Sequence, residues 1–362
     1  MHSLINIPKT PKQLTPKFLS DVLGCEVVSS TAQRIGEDEG FTGGGLYRIL
    51  LTYASDTVDA PLSVVAKFSP TDETMRTTFA AANEREIDFY TQFSRGAELP
   101  LPKCFFGQLD QDTATSLLII DDLGELRTVG FIEGCSAAEA LSVVDALAQI
   151  HGAFWSNPSV AQLCGPEILH EFDFQAAWKK YPEKVSQVLP HFRIPKWFFE
   201  LCQFISDNDQ TIFTHLMATQ PLTLIHRDPH VDNILFGDTS SEKQAVLLDW
   251  QIMGKGKGVF DLAYFLISSL EPELRRRIEF SMLTRYHDDL VRQGINDYSF
   301  DQCRKDFLAS VVGKIFITVV ATALLDNSSP HKVSWRKTDL TRLLAFCEDN
   351  HISKETFAFM LP

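Results

Sequence analysis

The sequence is short of the features that mark several specialised classes. Basic residues are scarce beside acidic ones: 33 Lys and Arg against 47 Asp and Glu leave a formal net charge of −14. Such a chain lacks the clustered cations that displace counterions from nucleic acid, which excludes a nucleic-acid partner. Long hydrophobic runs are missing too. The longest, 315–325, follows Lys314 and falls well below the roughly 20 residues of a membrane-spanning helix. It predicts a buried helix and no membrane association. Residues 1–17 alternate Pro and Lys with single apolar residues and lack the apolar centre of a signal peptide, so a cytoplasmic location is expected. The 7 cysteines are scattered and form no C-x-x-C pair. That excludes a zinc site of this type and a disulfide framework, and predicts reduced, buried thiols. There is no internal repeat and no G-x-x-x-x-G-K-[ST] phosphate loop.

What is present is the composition of an ordinary globular protein, with 44% hydrophobic and 22% charged residues. A length of 362 residues suggests about two domains. Stretches rich in Val, Leu, Ile and Tyr at 27–34, 46–53 and 62–68 predict strands. Residues 72–94 change to helical spacing, and 117–120 predict another strand, ending at Asp121-Asp122-Leu123-Gly124. Beyond that point helices take over. Ser136 and Glu139 form a capping-box pair opening a helix to about Trp155. Helical patterns run through 173–218 and 260–350, broken by short apolar runs at 223–225, 234–236 and 245–248. The expected class is α+β, with a β-rich part at 1–123 and a helical part at 124–362. Two parts of unlike class joined by one strand predict a ligand cleft.

The most informative stretch is Leu224-Ile225-His226-Arg227-Asp228-Pro229-His230-Val231-Asp232-Asn233-Ile234-Leu235-Phe236. An apolar run delivers a polar loop holding Asp228 and Asn233. After a turn at 237–244, a second apolar run ends in Asp249-Trp250-Gln251. The two short runs predict a hairpin, with Asp228, Asn233 and Asp249 at the same end. Phosphoryl transfer needs such a set: one carboxylate to orient the attacking hydroxyl and take its proton, an amide oxygen and a second carboxylate to hold Mg²⁺ on phosphate oxygens. The same residues also suit a polar turn with local hydrogen bonds. Asp249, closing an apolar strand at the right separation, favours the catalytic reading.

These residues resemble the aminoglycoside phosphotransferase and choline kinase-like group, and within it the ecdysteroid kinase-like small-molecule kinases. The resemblance extends over Ile150-His151-Gly152-Ala153-Phe154-Trp155 and Gly258-Val259-Phe260-Asp261-Leu262-Ala263-Tyr264-Phe265-Leu266. It implies a bilobal protein-kinase-like fold with a small β-rich N-lobe and a larger helical C-lobe. It also implies ATP and Mg²⁺ as cofactors and a small hydroxyl-bearing acceptor. Asp228 would be the catalytic base, with Asn233 and Asp249 as metal ligands. His230 stands where many relatives carry His and is expected at the phosphates. Ile120 and Asp121, at the end of the connecting strand, are expected at the nucleotide. Asp261 would support the loop backbone. Arg227 departs from the more usual Gly of His-Gly-Asp.

The upstream part offers partners of its own. Val64-Val65-Ala66-Lys67-Phe68 places one Lys in an apolar strand, where a buried ammonium needs an anion. Phe79, Glu86 and Phe93 share a helical stripe, so Glu86 is expected to point inward and pair with Lys67, and Glu84 to face solvent. Lys67 would then reach the α- and β-phosphates. Between two predicted strands lies Gly36-Glu37-Asp38-Glu39-Gly40-Phe41-Thr42-Gly43-Gly44-Gly45. Its glycines let backbone N–H groups approach phosphate, with Phe41, Thr42 and Gly43 in contact and the acids turned outward. His151 reads as a packed core histidine. Lys255 and Lys257 read as part of a solvated loop.

The segment between Asp249 and Asp261 is too short for the activation segment and docking platform of a protein kinase, so a small molecule is the expected acceptor. Aromatic residues of 150–215, among them Trp155, Phe172, Trp178 and Trp197, suit either an apolar acceptor site or a helical core. A non-catalytic nucleotide-binding protein and a protein kinase are the alternatives. The chain leaves monomer and homodimer equally open.

Overall fold

The computed structural model describes residues 7–36, 44–54, 60–94, 99–167, 174–238 and 244–361. The chain divides into two compact units. One comprises Met1–Leu126 with Asp249–Ile252; the other comprises Arg127–Leu248 with Met253–Pro362. Residues 249–252 therefore join the sheet-bearing unit, whereas the expected division assigned them to the helical part.

The first unit opens with helix α1 (Pro16–Leu23). Thr15 caps it by accepting from the Phe18 N–H, and Gly24 ends it at φ 72°, a left-handed cap that favours glycine. Strands β1 (Val27–Arg34), β2 (Gly45–Tyr53) and β3 (Ser63–Phe68) follow. After helices α2 (Glu73–Thr78) and α3 (Ala80–Asp88) come β4 (Cys104–Asp110) and β5 (Thr115–Asp121). The five strands form one antiparallel sheet in the order β1-β2-β3-β5-β4.

The period of two decides what each face does. Along β3, Val64, Ala66 and Phe68 are buried in a core shared with Leu19, Ile49, Leu117 and Ile119. Lys67 is thereby turned to the opposite face, opposite Leu46 and Leu118 in the ladder. The single helix expected over 72–94 is broken at Phe79, whose ψ is 8°, and α3 runs on into a π-helical turn at Phe89–Phe93. Strand β4 was not expected. It is an edge strand, half-buried along its whole length, so it carries no alternation to read.

The second unit is mainly helical. Strand β6 (Arg127–Thr128) pairs with β8 (Ile234–Phe236), which pairs with β9 (Ala245–Leu247) as the expected hairpin, Ile234 opposite Leu247. Strand β7 (Thr223–Ile225) pairs with β10 (Gly254–Gly256). Helix α4 (Ala137–Ala153) starts at the expected capping box, both halves of which are formed. The helical patterns expected over 173–218 form two helices, α5 (Phe174–Val188) and α6 (Lys196–Ala218), with Pro190 and Pro195 in the gap. Helix α7 (Val259–Ser269) is buried at every residue. It is followed by α8 (Pro272–Arg292), α9 (Phe300–Ala309), α10 (Val311–Leu324) and α11 (Pro330–Asp349).

The run 315–325 falls in the buried helix α10, as expected; taken together with α9, the segment Phe300–Leu324 is by length and composition long and apolar enough to cross a membrane. It is interrupted at Ser310, and 83% of its most apolar window is buried inside the fold. The 7 cysteines are all free; Cys135, Cys202, Cys303 and Cys347 are buried, and Cys25, Cys104 and Cys164 partly so.

Candidate active site

In the sheet-bearing unit the chemistry gathers on one face of β3. Lys67 Nζ lies 2.7 Å from Glu86 Oε2 of α3 and 3.1 Å from Asp249 Oδ1. Burial by itself would discharge this amine. The two carboxylates outweigh it and hold the Lys67 pKa above its ordinary value, which favours the ammonium form. Burial pushes the Glu86 carboxyl upward, with Asp249 adding to the effect and Lys67 opposing it. Asp249 is 44% exposed at its side chain and adopts φ 63°. The residues after it lock it to the helix. Trp250 stacks on Phe89 at 3.8 Å between centroids. Gln251 Nε2 donates to Asn83 Oδ1 at 2.9 Å, and Arg85 Nε donates to the Gln251 carbonyl at 2.7 Å.

Ile120 and Asp121 end β5, opposite Val65 and Val64 in the ladder. The Asp121 carboxylate accepts the Lys103 N–H at 2.8 Å, so it is used in closing the β4–β5 pair. Its neighbour Asp122 takes Arg48 and Ser63, each at 2.6 Å. Phe41, Thr42 and Gly43 lie outside the described residues, as does Phe172. Of the glycine-rich segment, Gly44 is described, and a Cβ there would stand 2.5 Å from the Phe68 carbonyl, so a side chain has no room. Glu84 is half-buried and accepts Gln111 Nε2 at 2.6 Å.

In the helical unit the loop after β7 is held from behind by α7. Asp261 is fully buried; its Oδ2 accepts the His226 N–H at 2.6 Å and its Oδ1 the Arg227 N–H at 2.8 Å. His151 backs the same carboxylate at 3.2 Å and meets the Tyr286 hydroxyl at 2.8 Å. It is thus a core histidine with two polar partners. His226 Nε2 meets the Leu248 carbonyl at 2.8 Å, and the Leu248 N–H donates to the Asn233 carbonyl at 2.8 Å.

This backing leaves Asp228 and its neighbours arranged around one another. Asn233 Nδ2 donates to the Asp228 carbonyl at 3.0 Å and stands 3.5 Å from Asp228 Oδ2. His230 Nε2 is 3.5 Å from the same oxygen. Burial would raise the Asp228 pKa, but His230 and the Tyr264 hydroxyl prevail and lower it. Burial likewise works against charging His230, and Asp228 overrides it to raise the His230 pKa. Because Asn233 spends its amide nitrogen on Asp228, its amide oxygen is turned the other way. Among the described residues no group of three or more His, Cys, Asp or Glu could hold a metal ion. Each unit holds one oxygen donor of the kind Mg²⁺ takes: the partly exposed Asp249 carboxylate in the sheet-bearing unit, and the Asn233 amide oxygen in the helical unit.

Four positions went unread or misread in the sequence. Tyr264 donates to Asp228 Oδ1 at 2.6 Å; its place one helical turn after Asp261 was the available signal. Arg227 adopts φ 73°, a left-handed backbone that favours glycine. Its guanidinium donates to the carbonyls of Cys164 at 2.5 Å and Gly165 at 3.0 Å, pinning the loop. Lys255 and Lys257 do not form a solvated loop. Lys255 is central in β10 and donates to the Ala161 carbonyl at 2.9 Å. Lys257 is buried, 3.5 Å from Asp306 Oδ2.

An antiparallel sheet carrying a Lys–Glu–Asp cluster, and a helical unit carrying an Asp–Asn loop, are the parts of a protein-kinase-like α+β fold. Residues 42–295 match the Ecdysteroid kinase-like family, and the chain belongs to that family. It is similar to an uncharacterised kinase-like protein of Caenorhabditis elegans, with 24% identity over 224 residues. That match covers 56% of this chain and 55% of the worm protein, so the chain spans about half the length of that relative. Among solved structures it resembles a choline kinase of Cryptosporidium parvum, with a TM-score of 0.54 and 10% identity over 98% of this chain and 95% of that one. A choline kinase of Streptococcus pneumoniae gives a TM-score of 0.50 and 14% identity, over 92% and 98% of the two chains. At these identities the likeness is one of fold.

Proposed function

We propose that the chain is an ATP-dependent phosphotransferase that moves the γ-phosphoryl group to a hydroxyl of a small molecule. The observation that carries this reading is the Lys67 ammonium bracketed by Glu86 at 2.7 Å and Asp249 at 3.1 Å, in a member of a kinase-like family. A cation held charged in this way suits the α- and β-phosphates of a nucleotide. Mg²⁺, held by Asn233 and Asp249, would supply charge neutralisation on the phosphates.

The remaining roles belong to the chain's own groups. Asp228 accepts the proton of the acceptor hydroxyl; its lowered pKa keeps it ionised. His230 contacts phosphate, and its raised pKa favours the cation. Ile120 and Asp121 line the nucleotide. Asp261, His151 and Arg227 hold the loop.

The acceptor is a small molecule. From Asp249 the chain makes one short helical turn, Trp250–Ile252, then β10 and the start of α7 at Val259, with no length for a peptide-docking platform. The family's name puts steroid-like alcohols first, with amino alcohols, aminoglycosides, macrolides and hydroxy acids as further classes. Most aromatics of α5 and α6 serve the core, Phe174, Trp178, Tyr181 and Phe198 being buried.

The test is transfer of labelled γ-phosphate from ATP to a panel of these alcohols. Asp228→Asn is expected to lower kcat by roughly 10²–10⁴-fold with nucleotide binding retained. A near-parental rate in that variant overturns the base assignment, and no turnover with any member of the panel counts against the reading.

A further inference from the structure

Helix α7 grips the Asp228 loop at two points. Asp261 takes the backbone N–H groups of His226 and Arg227. One turn on, on the same face, Tyr264 donates its hydroxyl to Asp228 Oδ1 at 2.6 Å. Tyr264 is 1% exposed, so water does not compete for that bond. The ring itself is held. Lys314 Nζ stands 4.7 Å from its centroid, a cation–π distance, and Lys314 pairs with Asp339, both fully buried. Thr318 Oγ1 completes the set by donating to Asp339 Oδ2 at 2.7 Å.

The two oxygens of Asp228 are therefore unequal. Oδ1 is engaged by a short, buried hydrogen bond. Oδ2 has His230 Nε2 and Asn233 Nδ2 at 3.5 Å each, at the outer limit of hydrogen bonding.

Resting on the phosphotransferase reading, we propose that Tyr264 is a positioning residue. By committing Oδ1 it fixes the plane of the Asp228 carboxylate and makes Oδ2 the oxygen that meets the acceptor hydroxyl. In the step so assigned, the acceptor O–H bond breaks as its oxygen bonds to the γ-phosphorus, and the proton passes to Oδ2. The bond from the γ-phosphorus to the bridging oxygen breaks with its electron pair leaving on ADP. The products are the phosphate ester, ADP and the proton held by Asp228.

Tyr264→Phe separates this role from packing, because it keeps the ring over Lys314 and removes only the donor. With the acceptor found in the panel, kcat is expected to fall by about tenfold or more while KM for ATP stays put. In the Asp228→Asn background the same change is expected to have no further effect on kcat, since Tyr264 acts through Asp228. A Tyr264→Phe rate within about twofold of the parent, or an equal loss in both backgrounds, overturns the inference. Crystal structures of the parent and Tyr264→Phe add a readout free of turnover. A carboxylate rotated out of place supports the inference, and one unmoved overturns it. Parental activity in Asp228→Asn alone would instead sink the base assignment, and no turnover of the parent with any member of the panel would sink the phosphotransferase reading on which this stands.

Discussion

Asp261 Oδ1 accepts the backbone N–H of Arg227 at 2.8 Å, and Arg227 is held at φ 73°. A buried carboxylate thus stabilises a left-handed residue immediately before Asp228. The bond anchors the loop from its interior side and leaves the Asp228 side chain to its other neighbours.

Asp261→Ala would strand two buried N–H groups and unseat His151. A stability loss of about 3 kcal/mol is expected, with loss of turnover. Asp261→Asn, which keeps one acceptor oxygen, is expected to lose less. Urea unfolding of the two variants gives the ranking.

Arg227→Gly has two opposed effects. Glycine relieves a left-handed backbone cost of roughly 1–2 kcal/mol. It also removes the guanidinium bonds to the carbonyls of Cys164, Gly165 and Lys255, and bonds to a charged donor contribute about 1.5–3 kcal/mol each. The net expectation is destabilisation, seen as a lower Tm and as earlier proteolysis near Cys164.

Lys67→Met and Glu86→Gln are not equivalent. In Glu86→Gln the ammonium keeps Asp249. In Lys67→Met the buried Glu86 keeps no cation, and its carboxyl, already raised by burial, is raised further. A carboxyl with an elevated folded pKa destabilises above that pKa, and the penalty is relieved as pH falls through it. Lys67→Met is therefore expected to be the less stable variant at neutral pH and to recover towards the parent on acidification. Thermal melts across pH read this directly, and both variants should bind nucleotide more weakly.

Asp122 gives the opposite pH signature. Burial would raise its pKa, but hydrogen bonds from Arg48 and Ser63, the Arg48 charge and the Gly124 N–H lower it. A depressed folded pKa contributes stability above the unfolded value of about 3.9, lost as pH falls through the folded value. Asp122→Asn is expected to cost about 1–3 kcal/mol at neutral pH. Parent and variant should converge as the solution is taken below about pH 4.

Legibility in the sequence followed the physics of each element. Strands β2 and β3 have one face buried and the other not, so their alternation is written in the residues. Strand β4 is half-buried throughout and leaves no such mark. The Lys67–Glu86 pair was readable because an ammonium in an apolar strand needs an anion, and the helical spacing of Phe79, Glu86 and Phe93 supplied one. Tyr264 was not readable in the same way. It lies in a helix buried on all sides, where a tyrosine looks like any other core residue until the partner of its hydroxyl is known. Lys257 was misread for a related reason, since its acid, Asp306, is far along the chain. The glycine-rich reading centred on Phe41, Thr42 and Gly43 falls outside the described residues.

The return of Asp249–Ile252 to the sheet-bearing unit bears on how the protein is made. On the ribosome, residues 1–126 are made before 249–252, and they lack the second carboxylate for Lys67 and the indole for Phe89. Those arrive only after 127–248 have been synthesised. Until then Lys67 has Glu86 alone and one face of Phe89 lies bare. Residues 1–126 are therefore not a finished module, and a gene cut after codon 126 would encode a fragment that lacks part of this cluster.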